Sequence, residues 1–204
     1  MRLIRRGAEA ELYRTEFLGL PAVFKERVVK RYRHPQLDRG LRTSRLRTEA
    51  RLLQEARRIG LRVPLIYDLD PEENRLVLED VQGPQFKEHF AKVPAKERLG
   101  LARELGRAVA LLHRHDLVHG DLTTSNILVT PSGLCFLDLS MGEHSAELEA
   151  KGVDLHLLIE AFHSAHPGCD RELEAVLSAY RGAYRDGARV VAKAEEIARR
   201  GRYT

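Results

Sequence analysis

Over the first eighty positions apolar and polar residues alternate in short runs. Residues 3–6, 11–17 and 22–27 read as strands, with turns supplied by Gly7 and the 19–21 region. A basic loop containing Pro35 follows, then a helix over 41–59 that Gly60 stops. Residues 65–70 and 75–79 are two more strands around the turn at Pro71 to Asn74. Beyond position 94 the period becomes helical. Residues 94–115 place apolar or small side chains at Leu99, Ala102, Gly106, Val109, Ala110 and His113, with Pro94 at the start. Two short apolar runs, 127–129 and 134–137, flank a Thr-Pro-Ser-Gly turn, and two or three helices close the chain. The pattern breaks at Gly83–Pro84. The expected fold is therefore α+β and bilobal: residues 1–80 β-rich with one helix, 81–198 helical, and 199–204 a basic tail.

Composition narrows the class. At 43% apolar residues the chain has enough to build a core, which excludes a disordered protein. The formal charge is +4, and it is unevenly spread: residues 25–58 hold twelve Lys or Arg against four Asp or Glu. A basic face of this kind suits a polyanion such as RNA. A solvated helix surface explains the same charges, and no stacking aromatics interleave them. The two cysteines, Cys135 and Cys169, form neither a disulfide framework nor a zinc pair. The N-terminus lacks an apolar signal core, and no apolar run approaches the ~18 residues of a membrane span. A cytoplasmic protein is expected.

The most informative segment runs from His119 to Val129, His-Gly-Asp-Leu-Thr-Thr-Ser-Asn-Ile-Leu-Val. Asp121 and Asn126 stand five positions apart in a loop between a long helix and an apolar strand. Asp138 ends the next strand, twelve residues beyond Asn126. Phosphoryl transfer needs one carboxylate to orient the attacking hydroxyl and further oxygen ligands to hold magnesium on the phosphates. Asp121 fits the first role; Asn126 and Asp138 fit the second, because magnesium prefers hard oxygen donors. Each alone reads equally well as a turn or capping residue. Their order, Asp, Asn, then Asp on a strand end, is that of protein kinases.

The upstream half agrees. Lys25 ends the run Ala-Val-Phe-Lys, where a phosphate-binding lysine belongs. On the next helix Glu49 shares a face with Leu46, Ala50 and Leu53, and a carboxylate on an apolar stripe needs a cationic partner, which Lys25 supplies. Residues 7–13, with Gly7 the one glycine, sit where a phosphate loop should. Residues 76–83 read as a hinge: Leu78 at the back of an adenine pocket, the Glu79 carbonyl and Val81 amide on the adenine edge. His113, His115 and His119 are close in sequence, but as a packed residue, an exposed one and a prop for the catalytic loop rather than a metal set. Asp154 is expected either to cap a helix or to bond the catalytic-loop backbone.

These residues resemble a known family. The segment at Gly7 to Ala10, the basic 32–35 segment, His119 to Asn126, Lys-Gly-Val-Asp-Leu from Lys151 and the terminal Arg-Gly-Arg-Tyr are similar to the atypical kinase of the KEOPS complex. The likeness covers nearly the whole chain. It implies a minimal Ser/Thr kinase and ATPase, using ATP and Mg2+, beside the enzyme that forms threonylcarbamoyladenosine at position 37 of tRNA. It implies Asp121 as catalytic aspartate, Asn126 and Asp138 as metal ligands and Lys25 with Glu49 as the ion pair. Its expected partners are that tRNA-modifying subunit, other KEOPS subunits and tRNA itself, with no membrane.

The sequence departs from ordinary protein kinases. Gly120 stands where they carry arginine, Leu139 follows Asp138 where they carry phenylalanine, and only about a dozen residues separate Asp138 from Gly152. Control by a partner is thus expected over control by loop phosphorylation. The alternatives are a small-molecule phosphotransferase, a RIO-type kinase, or a scaffold with a vestigial site.

Overall fold

The computed structural model of the chain describes residues 1–7 and 9–201. Its first part is a five-stranded antiparallel sheet. The strands β1 (Arg2–Arg6), β2 (Ala10–Phe17), β3 (Leu20–Arg27), β4 (Ile66–Asp70) and β5 (Arg75–Glu79) lie in the order β1-β2-β3-β5-β4. Helix α1 (Pro35–Arg58) crosses between β3 and β4, and its Leu46, Ala50 and Leu53 join Leu76 and Leu78 in the core.

The second part is mostly helical. It runs through α2 (Phe86–Phe90), α3 (Ala95–Arg114), β6 (Leu117–Val118), β7 (Ile127–Thr130), β8 (Gly133–Phe136), β9 (Glu143–His144), α4 (Leu148–Ala165), α5 (Asp170–Ala183) and α6 (Gly187–Gly201). Strands β7 and β8 form a hairpin that carries the chain from Asn126 to Asp138. Helices α3 and α5 meet at Gly106, where an added Cβ would stand 2.1 Å from the Val176 carbonyl oxygen. Among the described residues no helix is long and apolar enough to cross a membrane.

Four features differ from the sequence expectation. First, α1 begins at Pro35 rather than at 41. Proline at the first helical position pre-sets φ and lacks the N–H that would go unpaired there. The first turn is then pinned by buried Asp38, which accepts the Lys30 N–H at 3.2 Å and Arg42 Nε at 2.7 Å. Second, α2 has only five residues, too short to show a period; Phe86 and Phe90 hold it by stacking at 5.1 Å in the core. Third, β9 pairs with β6 through Leu117–His144 and Val118–Glu143, which ties the segment after Asp138 to the strand before His119. Fourth, α6 extends through Gly201, so Arg199 and Arg200 occupy its last turn instead of a tail, and Arg200 pairs with Glu149 on α4 at 2.7 Å. The rest of the expected tail, residues 202–204, lies outside the described residues.

Candidate active site

Alternation along β3 turns Lys25 and Arg27 to the same face, two residues apart, and both are buried. Glu49 comes up from α1 between them. Its Oε1 lies 2.6 Å from Lys25 Nζ and its Oε2 2.7 Å from Arg27 Nη2. Lys25 Nζ is also 2.6 Å from Asp138 Oδ1. Burial alone would push the Asp138 carboxyl up. The charge and hydrogen bond of Lys25, the Ser140 N–H and Arg27 outweigh it and hold the group well below the usual carboxylate range. Asp138 itself takes a left-handed backbone, φ +57°, which aspartate tolerates better than most residues.

The loop from His119 to Asn126 is braced on three sides. Asn126 Nδ2 donates to the Asp121 carbonyl at 2.9 Å and to Asp121 Oδ2 at 2.8 Å. The amide oxygen is then the atom Asn126 can offer a cation. His119 Nε2 donates to the Leu137 carbonyl at 3.0 Å, and its Nδ1 accepts the Asp121 N–H at 3.4 Å. Asp154, fully buried in the interior of α4, accepts the N–H groups of His119 (2.8 Å) and Gly120 (2.9 Å) and His113 Nε2 (3.1 Å). Burial opposes its charge, but the hydrogen bond from His113, the neighbouring imidazoles and the His119 N–H win, and its carboxyl is held below the ordinary range. Of the two roles open to Asp154 it takes the second, bonding the loop; Glu147 occupies the N-cap. His113 is packed against Tyr180, bonded to its hydroxyl at 2.7 Å, and His115 is exposed.

The Lys151–Asp154 stretch of α4 anchors its surroundings through three residues. Lys151 Nζ bonds Asp116 at 2.6 Å, just before β6, and Tyr184 at 3.1 Å. Gly152 lets α6 approach, since a Cβ there would meet Lys193 Cγ at 2.5 Å. Asp154 holds the loop just beyond β6.

A cavity of 240 Å3 opens between the sheet and the β7–β8 hairpin. Its lining includes Leu12, Val23, Leu78 and Leu137 beside Lys25, Glu49, Glu79, Val81, Asn126 and Asp138. The fold therefore gathers most of the sequence candidates around one space, with Asp121 attached through Asn126. Gly7 is not among the lining residues; its N–H donates to the Ala10 carbonyl at 2.9 Å and closes the β1–β2 turn. The Glu79 carbonyl accepts the Val81 N–H at 3.0 Å, so the two expected hinge groups bond each other.

Three contacts were not foreseen. Arg27 shares Glu49, and its two-residue spacing from Lys25 on a strand was the available signal. Arg62 grips the Glu79 side chain with both terminal guanidinium nitrogens, Nη1 at 2.9 Å, while its carbonyl accepts the Phe136 N–H at 2.9 Å. Arg14 reaches Asp80 at 2.8 Å across the cavity mouth. The last two join residues more than fifteen positions apart and have no local pattern.

Together the sheet, the hairpin and the Lys25–Glu49–Asp138 cluster define a protein of the bilobal, kinase-like class. Comparison with known proteins agrees. The RIO1 family model, RIO domain, matches residues 18–166. The chain is 41% identical to the KEOPS complex subunit Bud32 of Pyrococcus abyssi, over 100% of this chain and 96% of that protein. It is 35% identical to the EKC/KEOPS complex subunit Tp53rkb of Mus musculus, over 99% and 87%. A probable bifunctional tRNA threonylcarbamoyladenosine biosynthesis protein of Methanothermobacter thermautotrophicus is 39% identical over 99% of this chain, which spans only 36% of that longer protein. Among solved structures, the Rio2 kinase–ADP/Mg2+–phosphoaspartate complex from Chaetomium thermophilum superposes with a TM-score of 0.65 at 16% identity, over 100% of this chain and 72% of that one. WaaP in complex with acyl carrier protein gives 0.62 at 19% identity, over 98% and 88%. At such identities these two speak for the fold alone. The chain belongs to the RIO-domain family and, within it, to the Bud32 subunits of KEOPS complexes.

Proposed function

We propose that this chain is an ATP- and magnesium-dependent phosphotransferase, a Ser/Thr protein kinase or an ATPase, in the cytoplasmic assembly that forms threonylcarbamoyladenosine at position 37 of tRNA. The carrying observation is Lys25 Nζ at 2.6 Å from both Glu49 and Asp138, with Asn126 bonded to Asp121 alongside. The relatives' names supply the assembly and the pathway.

In this reading residues 1–80 are the N-lobe and 81–198 the C-lobe. Adenine enters the apolar cavity and meets the Glu79 carbonyl and Val81 amide once their mutual bond opens. Lys25, steadied by Glu49, meets the α- and β-phosphates. Gly7 shapes the turn above them. The donor set fits magnesium: Asp138 and Asn126 provide hard oxygens, and the other positions fall to phosphate and water. When bound, magnesium supplies charge stabilisation on the phosphates. Asp121 accepts the proton of the attacking hydroxyl or water as its oxygen bonds the γ-phosphorus and the bond to ADP breaks.

The test is phosphate release by the full chain, with and without magnesium, alone and with the threonylcarbamoyl-transferase subunit, and phosphate incorporation into protein Ser or Thr. Release that needs magnesium and disappears in Asp121→Asn supports the reading. Equal release by parent and variant refutes it.

A further inference from the structure

Arg14 stands in a row with two apolar side chains of the sheet. It pairs with Val23 across β2 and β3, and Val23 pairs with Leu78 across β3 and β5. Directly opposed residues share a face, and all three line the cavity. The Arg14 guanidinium reaches Asp80 at two points: Nε lies 2.8 Å from Oδ2 and Nη2 3.2 Å from Oδ1. The Asp80 side chain is 7% exposed although it stands at the cavity mouth.

Asp80 is also where the sheet lets the chain go. On the sheet side the Glu79 N–H donates to the Leu65 carbonyl at 2.8 Å, and the Asp80 N–H to the Pro21 carbonyl at 3.2 Å. On the other side the Pro84 carbonyl accepts the Val129 N–H at 2.9 Å, and Gln85 Nε2 donates to the Ser125 carbonyl at 3.1 Å. Residues 81–83 are the link between the two parts. The peptide joining Glu79 to Asp80 therefore belongs to the sheet. It is planar and trans, so its C=O points opposite to its N–H. With the N–H turned to Pro21, the Glu79 carbonyl faces the other way, toward Val81, whose N–H it accepts at 3.0 Å.

We propose that the Arg14–Asp80 pair is a positioning clasp for base selection, an inference that rests on the ATP-dependent function proposed above. The bond from Asp80 to Pro21 is longer than most. The clasp holds Asp80 against the sheet, so that this bond and the direction of the Glu79 carbonyl are kept when Val81 turns to admit adenine. Arg14 and Asp80 touch no reacting atom and act through that carbonyl. The adenine amino group donates to the Glu79 carbonyl, and ring N1 accepts the Val81 N–H. Hypoxanthine presents a carbonyl and an N–H at the same two places. It meets both hinge groups with the wrong polarity and leaves them unpaired.

ADP and IDP carry the same ribose and phosphates, so the ratio of their dissociation constants isolates the base. Both are measured by calorimetry on the full chain with magnesium. The parent is expected to prefer ADP by roughly tenfold or more. R14Q and D80N should each lower that preference about three- to fivefold, the upper range for a half-exposed ion pair. The loss should fall on ADP while IDP binding holds. R14Q/D80N should lower the preference no further than either single variant, because both changes remove one contact. An unchanged preference in the single variants, equal weakening of ADP and IDP, or additive losses in the double variant overturns the clasp and leaves the proposed function standing. A parent that binds ADP and IDP equally also overturns the clasp alone. A parent that binds neither nucleotide overturns the clasp and the proposed function together.

Discussion

Lys25 and Asp138 are in direct ionic contact, 2.6 Å between Nζ and Oδ1, although 113 positions separate them. The contact joins the third strand of the sheet to the end of the β7–β8 hairpin and closes the polar end of the cavity. Lys25→Ala removes the one cation shared by Glu49 and Asp138. It is expected to raise the ATP concentration needed for half-maximal phosphate release and to lower turnover, read from steady-state kinetics.

Asp121 and Asp138 should separate in their effects. Asp121→Asn is expected to lose ~10²–10⁴-fold in turnover while nucleotide affinity holds, because a positioned base acts in the reaction and not in binding. Asp138→Asn should weaken magnesium-dependent nucleotide binding as well. Titration calorimetry with ADP and magnesium, beside the turnover assay, distinguishes the two.

Glu49 has a larger structural share than a simple Lys25 tether. It is 1% exposed and pairs with two buried cations, and among the described residues Arg27 Nε has no hydrogen-bond partner of its own. Removing the carboxylate leaves Arg27 uncompensated. Glu49→Ala is expected to cost on the order of 3 kcal/mol in urea unfolding. Glu49→Gln keeps some of the hydrogen bonding and should fall between Ala and parent.

Gly120 stands where ordinary kinases carry arginine, and the backbone explains why. Its φ is +80°, and an added Cβ would sit 2.1 Å from the Met141 carbonyl oxygen. Gly120→Ala should destabilise the chain by at least about 1–3 kcal/mol and displace the catalytic loop. Gly100→Ala is the control: that glycine lies on the exposed side of α3 with nothing within 4 Å, and alanine there should stabilise by up to ~1 kcal/mol. Thermal melts and phosphate release from ATP test both.

Asp154 gives a pH dependence with a definite sign. Its carboxyl is depressed in the folded chain, so its contribution is complete above the unfolded value of about 4 and is lost as pH falls through the lower folded value. The parent should therefore lose stability more steeply than Asp154→Asn between about pH 5 and 2. The variant should be the weaker of the two at pH 7. Urea midpoints across that range are the measurement.

The sequence alone determined the order of the five strands of the sheet and of the long helices, and the identity of the polar cluster. Lys25 at the end of an apolar run, Glu49 on an apolar helical stripe, and Asp121, Asn126 and Asp138 at fixed offsets are local signals, and local spacing survives in a linear chain. The α+β layout was legible for the same reason, because strand and helix periods depend on neighbours two to four residues away. The tertiary structure decided what depends on distant pairing. It alone showed that Arg27 shares Glu49 and that Arg62 grips Glu79, and it chose, of the two roles the sequence left open to Asp154, the bonding of two N–H groups more than thirty positions earlier. It also set the start of α1 at Pro35 and created β6–β9, two residues from each side, which no local propensity could specify. A buried charge must find a counter-charge wherever the fold brings one, and the chain's own order carries no record of which one that is.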